Sequence, residues 1–188
     1  RRIPGAGVKK KVPKTPTRVY LFIDDSNIFI EGQRTAATRD PLDSSARGRF
    51  RIDYGRLLEW MTEGRTLADV YLVGSRPPEV DTFWKILPSK GIRPKIFDRH
   101  AGREKGVDHD LVAEMIETSM REEKTDGVIA LVAGDGDYRS TLDRLNGKGW
   151  IIEVCFWTSG CSSLIRNTPW YINLDPHFRE FCYFETRR

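Results

Sequence analysis

Five short apolar runs constrain what this chain can become. They are RVYLFI (18–23), LADVYLV (67–73), IRPKIF (92–97), VIALVA (128–133) and WIIEVCF (150–156). Each is rich in β-branched and aromatic residues and too short for a core helix, so each predicts a strand. From residue 67 onward the runs are nearly continuous rather than alternating, the pattern of strands buried on both faces. Between them the text turns helical. Asp53 is placed to cap a helix through Met61, with Leu57, Leu58 and Met61 as its apolar stripe. Residues 79–87 follow two prolines, residues 108–123 place Leu111, Val112, Met115, Ile116 and Ser119 on one side, and a last helix runs to Lys148. Strand and helix alternating this often predicts an α/β fold with a mostly parallel sheet covered on both sides.

The segments outside this alternation are polar. Residues 1–17 hold prolines, glycines and like charges, and are expected to form a disordered basic arm ahead of one domain spanning 18–188. Seven basic residues and no acid lie in the first 18, leaving 24 basic against 27 acidic residues in the body. The pI near 9.0 therefore reflects the arm, which suits either nucleic-acid contact or plain solvation. Residues 32–52, with Arg34, Arg39, Arg47, Arg49 and Arg51, carry no clear period and are expected to be an insertion loop. No apolar run approaches the ~20 residues of a membrane span, so no membrane partner is expected. Cys155, Cys161 and Cys182 form an odd set with no CxxC spacing, which argues against structural zinc and for an intracellular protein, cytoplasmic or nuclear. The chain opens with Arg rather than Met and reads as a piece of something longer.

In a parallel sheet with right-handed crossovers, all strand ends and following helix starts lie along one edge. Asp24 follows the first strand, Asp108 begins the helix after the third, and Asp135 and Asp137 follow the fourth. Four acids are thus expected at one crevice. Their repulsion raises the pKa values unless a cation is bound, and an all-oxygen set without His or Cys suits Mg2+ or Mn2+. An Asp between strand and helix is also the commonest N-cap, and Gly134 and Gly136 could serve a tight turn. Residue types alone leave capping and a shared metal site both standing.

The segments VYLFIDDSN, KGVDHDLVAEM and VIALVAGDGDYRSTLDRLNGKGWIIEV resemble, in order and separation, the NYN domain family, PIN-like nucleases of the LabA and limkain type. The likeness extends through TSGCSSLIRNTPWYINLD, similar to that family's Ser/Leu helix and closing strand. It implies a PIN-like three-layer α/β/α sandwich that hydrolyses RNA with Mg2+ or Mn2+. On this resemblance Asp24 and Asn27 match the family's DxxN, Asp108 the acid of KGVD, and Asp135 and Asp137 the Gly-Asp-x-Asp turn. The four aspartates are the implied metal ligands, with Asn27 completing the catalytic set by positioning Asp24 or a water through its amide. Glu114 and Asp110 are secondary acids. The sequence departs from the family in having Tyr138 where Phe is usual and Ala133 where Ser is usual.

The function so implied is a divalent-metal-dependent endoribonuclease acting through activated water, without a covalent intermediate. RNA is the expected partner, its phosphates held by Arg99, Arg103 and Lys105 and by the arginines of 34–51. Single strands fit because His100, Tyr54 and Tyr138 could stack on bases. A non-catalytic RNA-binding module of the same fold and another magnesium-dependent phosphohydrolase are the alternatives. The second lacks a DxD directly after the first strand, and the absence of GxxxxGK[ST] argues against an ATPase.

Overall fold

The computed structural model describes residues 16–75, 86–97 and 106–186. Strand β1 (Arg18–Asp24) leads into helix α1 (Asp25–Arg39), then α2 (Ala46–Arg49), β2 (Phe50–Ile52) and α3 (Tyr54–Thr62). Strand β3 (Thr66–Ser75) and β4 (Arg93–Phe97) follow, then α4 (Val107–Arg121), β5 (Gly127–Val132), a 3-10 turn (Gly136–Tyr138) and α5 (Arg139–Gly147). The chain closes with β6 (Ile151–Phe156), α6 (Ser163–Arg166), β7 (Tyr171–Asn173), α7 (Phe178–Phe181) and β8 (Cys182–Phe184). All five expected strands form. Residues 76–85, which hold most of the expected helix 79–87, and residues 1–15, 98–105 and 187–188 lie outside the described residues.

The main sheet has the order β4-β3-β1-β5-β6-β7, and every ladder in it is parallel. Strand β1 sits in the middle with Val19, Leu21 and Ile23 at most 1% exposed, which is why its run could afford no polar position before Asp24. Along β1, Tyr20 and Asp24 share a face and meet Glu122 and Tyr138, which flank α4 and α5. Asp25, one residue on, meets Tyr54 of α3. Helices α4 and α5 therefore cover one face and α1 and α3 the other, giving three layers. No helix among the described residues is long and apolar enough to cross a membrane.

The stretch 32–52 is not a loop. Helix α1 continues to Arg39, and its buried side is Ile28, Glu31, Gly32, Thr35 and Ala36, spaced i, i+3, i+4, i+7 and i+8. That is a full helical period. It was hidden because the inward residues are small or polar, so hydrophobicity did not oscillate. Gly32 is required there, since the Phe50 ring occupies the space a side chain would need. Residues 50–52 then pair antiparallel with β8, closing a second two-stranded sheet that brings Phe50 against Phe178.

Four of the five arginines expected to reach for phosphate in this stretch are engaged with the protein, and Arg47 is exposed. Arg34 pairs with Glu31 and Arg49 with Asp43, while Arg51 Nη2 lies 2.7 Å from Glu185. Arg39 stacks 4.7 Å over Phe178.

Candidate active site

The chain runs outward from β1 to β3 and β4, then returns to lay β5 on the other side of β1. A parallel sheet opens a crevice at the carboxyl ends of two such strands, because their connections leave in opposite directions. The acids gather at this switch point. Asp24 ends β1, Asp135 and Asp137 follow β5, and Asp108 is the second residue of α4.

Carboxylate oxygens of Asp108, Asp135 and Asp137 all lie within 4.8 Å of one another, with Asp108 half-buried and the other two exposed. Asp24 stands behind this group and is tied to it through Tyr138, a buried residue. The Tyr138 hydroxyl donates to Asp108 Oδ1 at 3.0 Å and lies 3.4 Å from Asp24 Oδ2. One hydroxyl proton serves one acceptor well, and the distances favour Asp108. Three acids therefore share one locus, and the fourth reaches it through a tyrosine.

Capping and clustering coexist. Asp24 Oδ1 accepts the Asn27 N–H at 3.0 Å and caps α1, and Asp135 Oδ1 accepts the Asp137 N–H at 3.0 Å. Each cap uses one oxygen and leaves the second outside the cap, that of Asp24 beside the Tyr138 hydroxyl. Asn27 meets Asp24 through its backbone N–H, while its side-chain Oδ1 accepts the Gly134 N–H at 2.9 Å and fastens the acid-bearing turn to α1. Gly134 can have no side chain because the Phe156 ring fills the space.

Electrostatics follow from this packing. Burial pushes the Asp24 carboxyl up to about 7, opposed by the Asn27 N–H and assisted by the charges of Asp108 and Asp25. Asp108 is also raised, by burial first and then by Asp135 and Asp137, against the lowering hydrogen bond from Tyr138. The Tyr138 hydroxyl is raised by burial and the two carboxylates, so it stays protonated and donates. The donor set is all oxygen, clustered, open to solvent on one side and electrostatically strained without a counter-charge. It fits a hard divalent cation.

Other sequence candidates lie elsewhere. Asp110 Oδ2 is 2.7 Å from Lys95 Nζ, and Glu114 is 3.9 Å from Arg93, so both serve the β4 edge of the sheet. Arg99, Arg103 and Lys105 fall outside the described residues, as does His100. Tyr54 is buried and occupied with Asp25, and Tyr138 is interior, so neither stacks on a base. Sequence reasoning missed the bridging role of Tyr138; its place one residue after the second acid of the turn was the available signal. It also missed Ser162, whose N–H donates to the Gly134 carbonyl at 2.8 Å.

Comparison with known proteins agrees with this fold. The NYN domain family matches residues 18–175, from β1 through β7. Among solved structures, a protein of unknown function from Vibrio parahaemolyticus, VPA0982, is similar at a TM-score of 0.66 and 18% identity. That likeness covers 90% of this chain and 98% of the other, and shows a shared fold alone. No curated protein matches the sequence. The family match spans both strands of the crevice and every acid gathered there, and the chain belongs to the NYN domain family of PIN-like nucleases.

Proposed function

We propose that this protein is a divalent-metal-dependent endoribonuclease. The observation that carries the reading is the mutual reach of the Asp108, Asp135 and Asp137 carboxylates at the topological switch point. These three would hold Mg2+ or Mn2+, with Asp24 completing the charge behind them. The bound cation would supply Lewis acidity toward a phosphodiester and lower the pKa of water.

The remaining work falls to the chain itself. Asn27 holds the acid turn in register with α1 through Gly134. Tyr138 fixes the Asp108 side chain, so the ligand group is ordered before anything binds. Asp24, pushed to about 7, can hold a proton at Oδ2 when no cation is near and release it as positive charge arrives. Arg99, Arg103 and Lys105, which precede Asp108 in sequence, are proposed to take the substrate's phosphates. RNA, single-stranded at the cleaved linkage, is the proposed substrate, and the proposed setting is intracellular.

The test is incubation of labelled single-stranded and duplex RNA and DNA with Mg2+, Mn2+ or chelator, beside the Asp135→Asn protein. Cation-dependent cleavage of single-stranded RNA that Asp135→Asn lacks is the expected result. Binding without cleavage in any cation would make the protein a non-catalytic RNA-binding module instead. Hydrolysis confined to a small phosphate ester would make it another kind of phosphohydrolase.

A further inference from the structure

Beside the acid turn lies a large apolar side chain that the core does not use. Leu164 in α6 is 57% exposed. An exposed leucine alone means little. This one abuts Gly136, the glycine between Asp135 and Asp137: a Cβ at Gly136 would lie 3.1 Å from Leu164 Cδ1 and 2.8 Å from Ser162 Oγ. Its position is fixed from below. Arg139 donates from Nη1 to the Leu164 carbonyl at 2.6 Å and from Nε to Asp143 at 2.8 Å, and its guanidinium lies 5.3 Å over the Trp170 ring. Trp170 is itself anchored, its carbonyl accepting the Val154 N–H at 2.9 Å. A line of contacts thus leads away from the acids: Gly136, Leu164, Arg139, Trp170.

We infer that Leu164 is the platform for the nucleobase next to the scissile phosphate. This rests on the reading of the acid cluster as a centre that cleaves nucleic acid. A phosphate at the cluster leaves its own base to lie within one nucleotide's reach, and an apolar surface at that distance is what a base face seeks. In a duplex that face is covered by its neighbours, so the platform selects unpaired strands. The cationic and aromatic pair beyond Leu164 continues the surface in the chemistry that single strands track.

The experiment compares wild type, Leu164→Ala and Leu164→Met on a short labelled oligouridylate and on the same strand with an abasic residue beside the cleaved linkage. Leu164→Ala is expected to raise KM about tenfold, the effect of losing part of an apolar side chain's buried area, with kcat nearly unchanged, and Leu164→Met to restore it. On the abasic strand wild type and Leu164→Ala should converge. Equal KM for wild type and Leu164→Ala on the intact strand, or an undiminished loss on the abasic one, overturns the platform while leaving the nuclease standing. If wild type cleaves nothing, the nuclease reading fails, and fluorescence anisotropy in chelator then decides the platform. Weaker binding of the intact strand by Leu164→Ala upholds it, whereas equal binding, or none by wild type, overturns it.

Discussion

Asp24 and Asp25 are neighbours in the chain, are both buried, and each stand beside a tyrosine hydroxyl, yet they belong to different parts of the molecule. Asp24 is the last residue of β1 and Asp25 the first of α1, and the strand-to-helix turn sends their side chains to different layers. Asp24 looks toward α4 and α5, where its tyrosine passes contact on to Asp108 and from there to the open acid group. Asp25 looks toward α3, where Tyr54 ends the connection inside the core. Both carboxyls are raised by burial, to about 7 and about 6. A perturbed acid is therefore no mark of a reactive one; what separates the two is whether the tyrosine behind each leads out to solvent-exposed charge.

The sharpest way to break the comparison is to remove a carboxylate from the open side. Asp135→Asn, at an exposed position, should lower cation-dependent cleavage by on the order of 10²–10³-fold and leave the melting temperature nearly unchanged. The checks are initial rates on labelled RNA and a thermal melt in chelator. Activity near wild type would remove Asp135 from the centre. Next in size is Tyr54→Phe, which leaves Asp25 buried with its main donor gone and should cost about 1–3 kcal/mol of stability. Urea unfolding measures this, and the rate per folded molecule should not move.

How much of this was legible beforehand depended on the kind of signal each feature leaves. The strands were legible because fully buried parallel strands are written in consecutive apolar letters, as in VIALVA at β5. The acids were legible because topology alone sends strand ends to one edge. Helix α1 was not, since its buried side includes Glu31, Gly32 and Thr35, and the packing of Gly32 on Phe50 and of Glu31 on Gly160 has no counterpart in hydrophobic periodicity. The division of labour between Asp24 and Asp25 was equally silent. Two identical letters side by side do not say what waits around each, and Tyr54 and Tyr138 come from segments 29 and 114 residues away.

A smaller effect separates the pair by pH. The Asp25 carboxyl is raised above its ordinary 3.8, so the folded state favours its protonated form. The stability this contributes is fully present below pH 3.8 and is lost as pH rises through about 6. Asp24 behaves alike in chelator, its contribution lost as pH rises through about 7. Asp25→Asn should flatten the fall in unfolding free energy between pH 5 and 8 by roughly 1–2 kcal/mol, with or without Mn2+. Asp24→Asn should flatten it only in chelator, because a nearby cation favours the Asp24 carboxylate and removes its share. Denaturant midpoints at the two pH values check both, and equal responses to Mn2+ would erase the distinction between the faces.

The least disruptive probe repeats the tyrosine substitution on the open side. Tyr138→Phe removes the same group that Tyr54→Phe removes, but Asp108 is half-buried and can take water in its place, so the stability loss should stay below about 1 kcal/mol. Phe keeps the ring and lacks only the hydroxyl, so the space accepts it. What should change is proton competition for the site. The hydroxyl lowers the pKa of both Asp24 and Asp108, and without it both carboxyls hold protons to higher pH. Cation binding requires them ionised. The pH midpoint of Mn2+ affinity, followed by calorimetry, should therefore move upward in Tyr138→Phe and stay in place in Tyr54→Phe. A shift in the second variant would mean that the buried pair communicates with the acids after all, and that Asp25 belongs to the site.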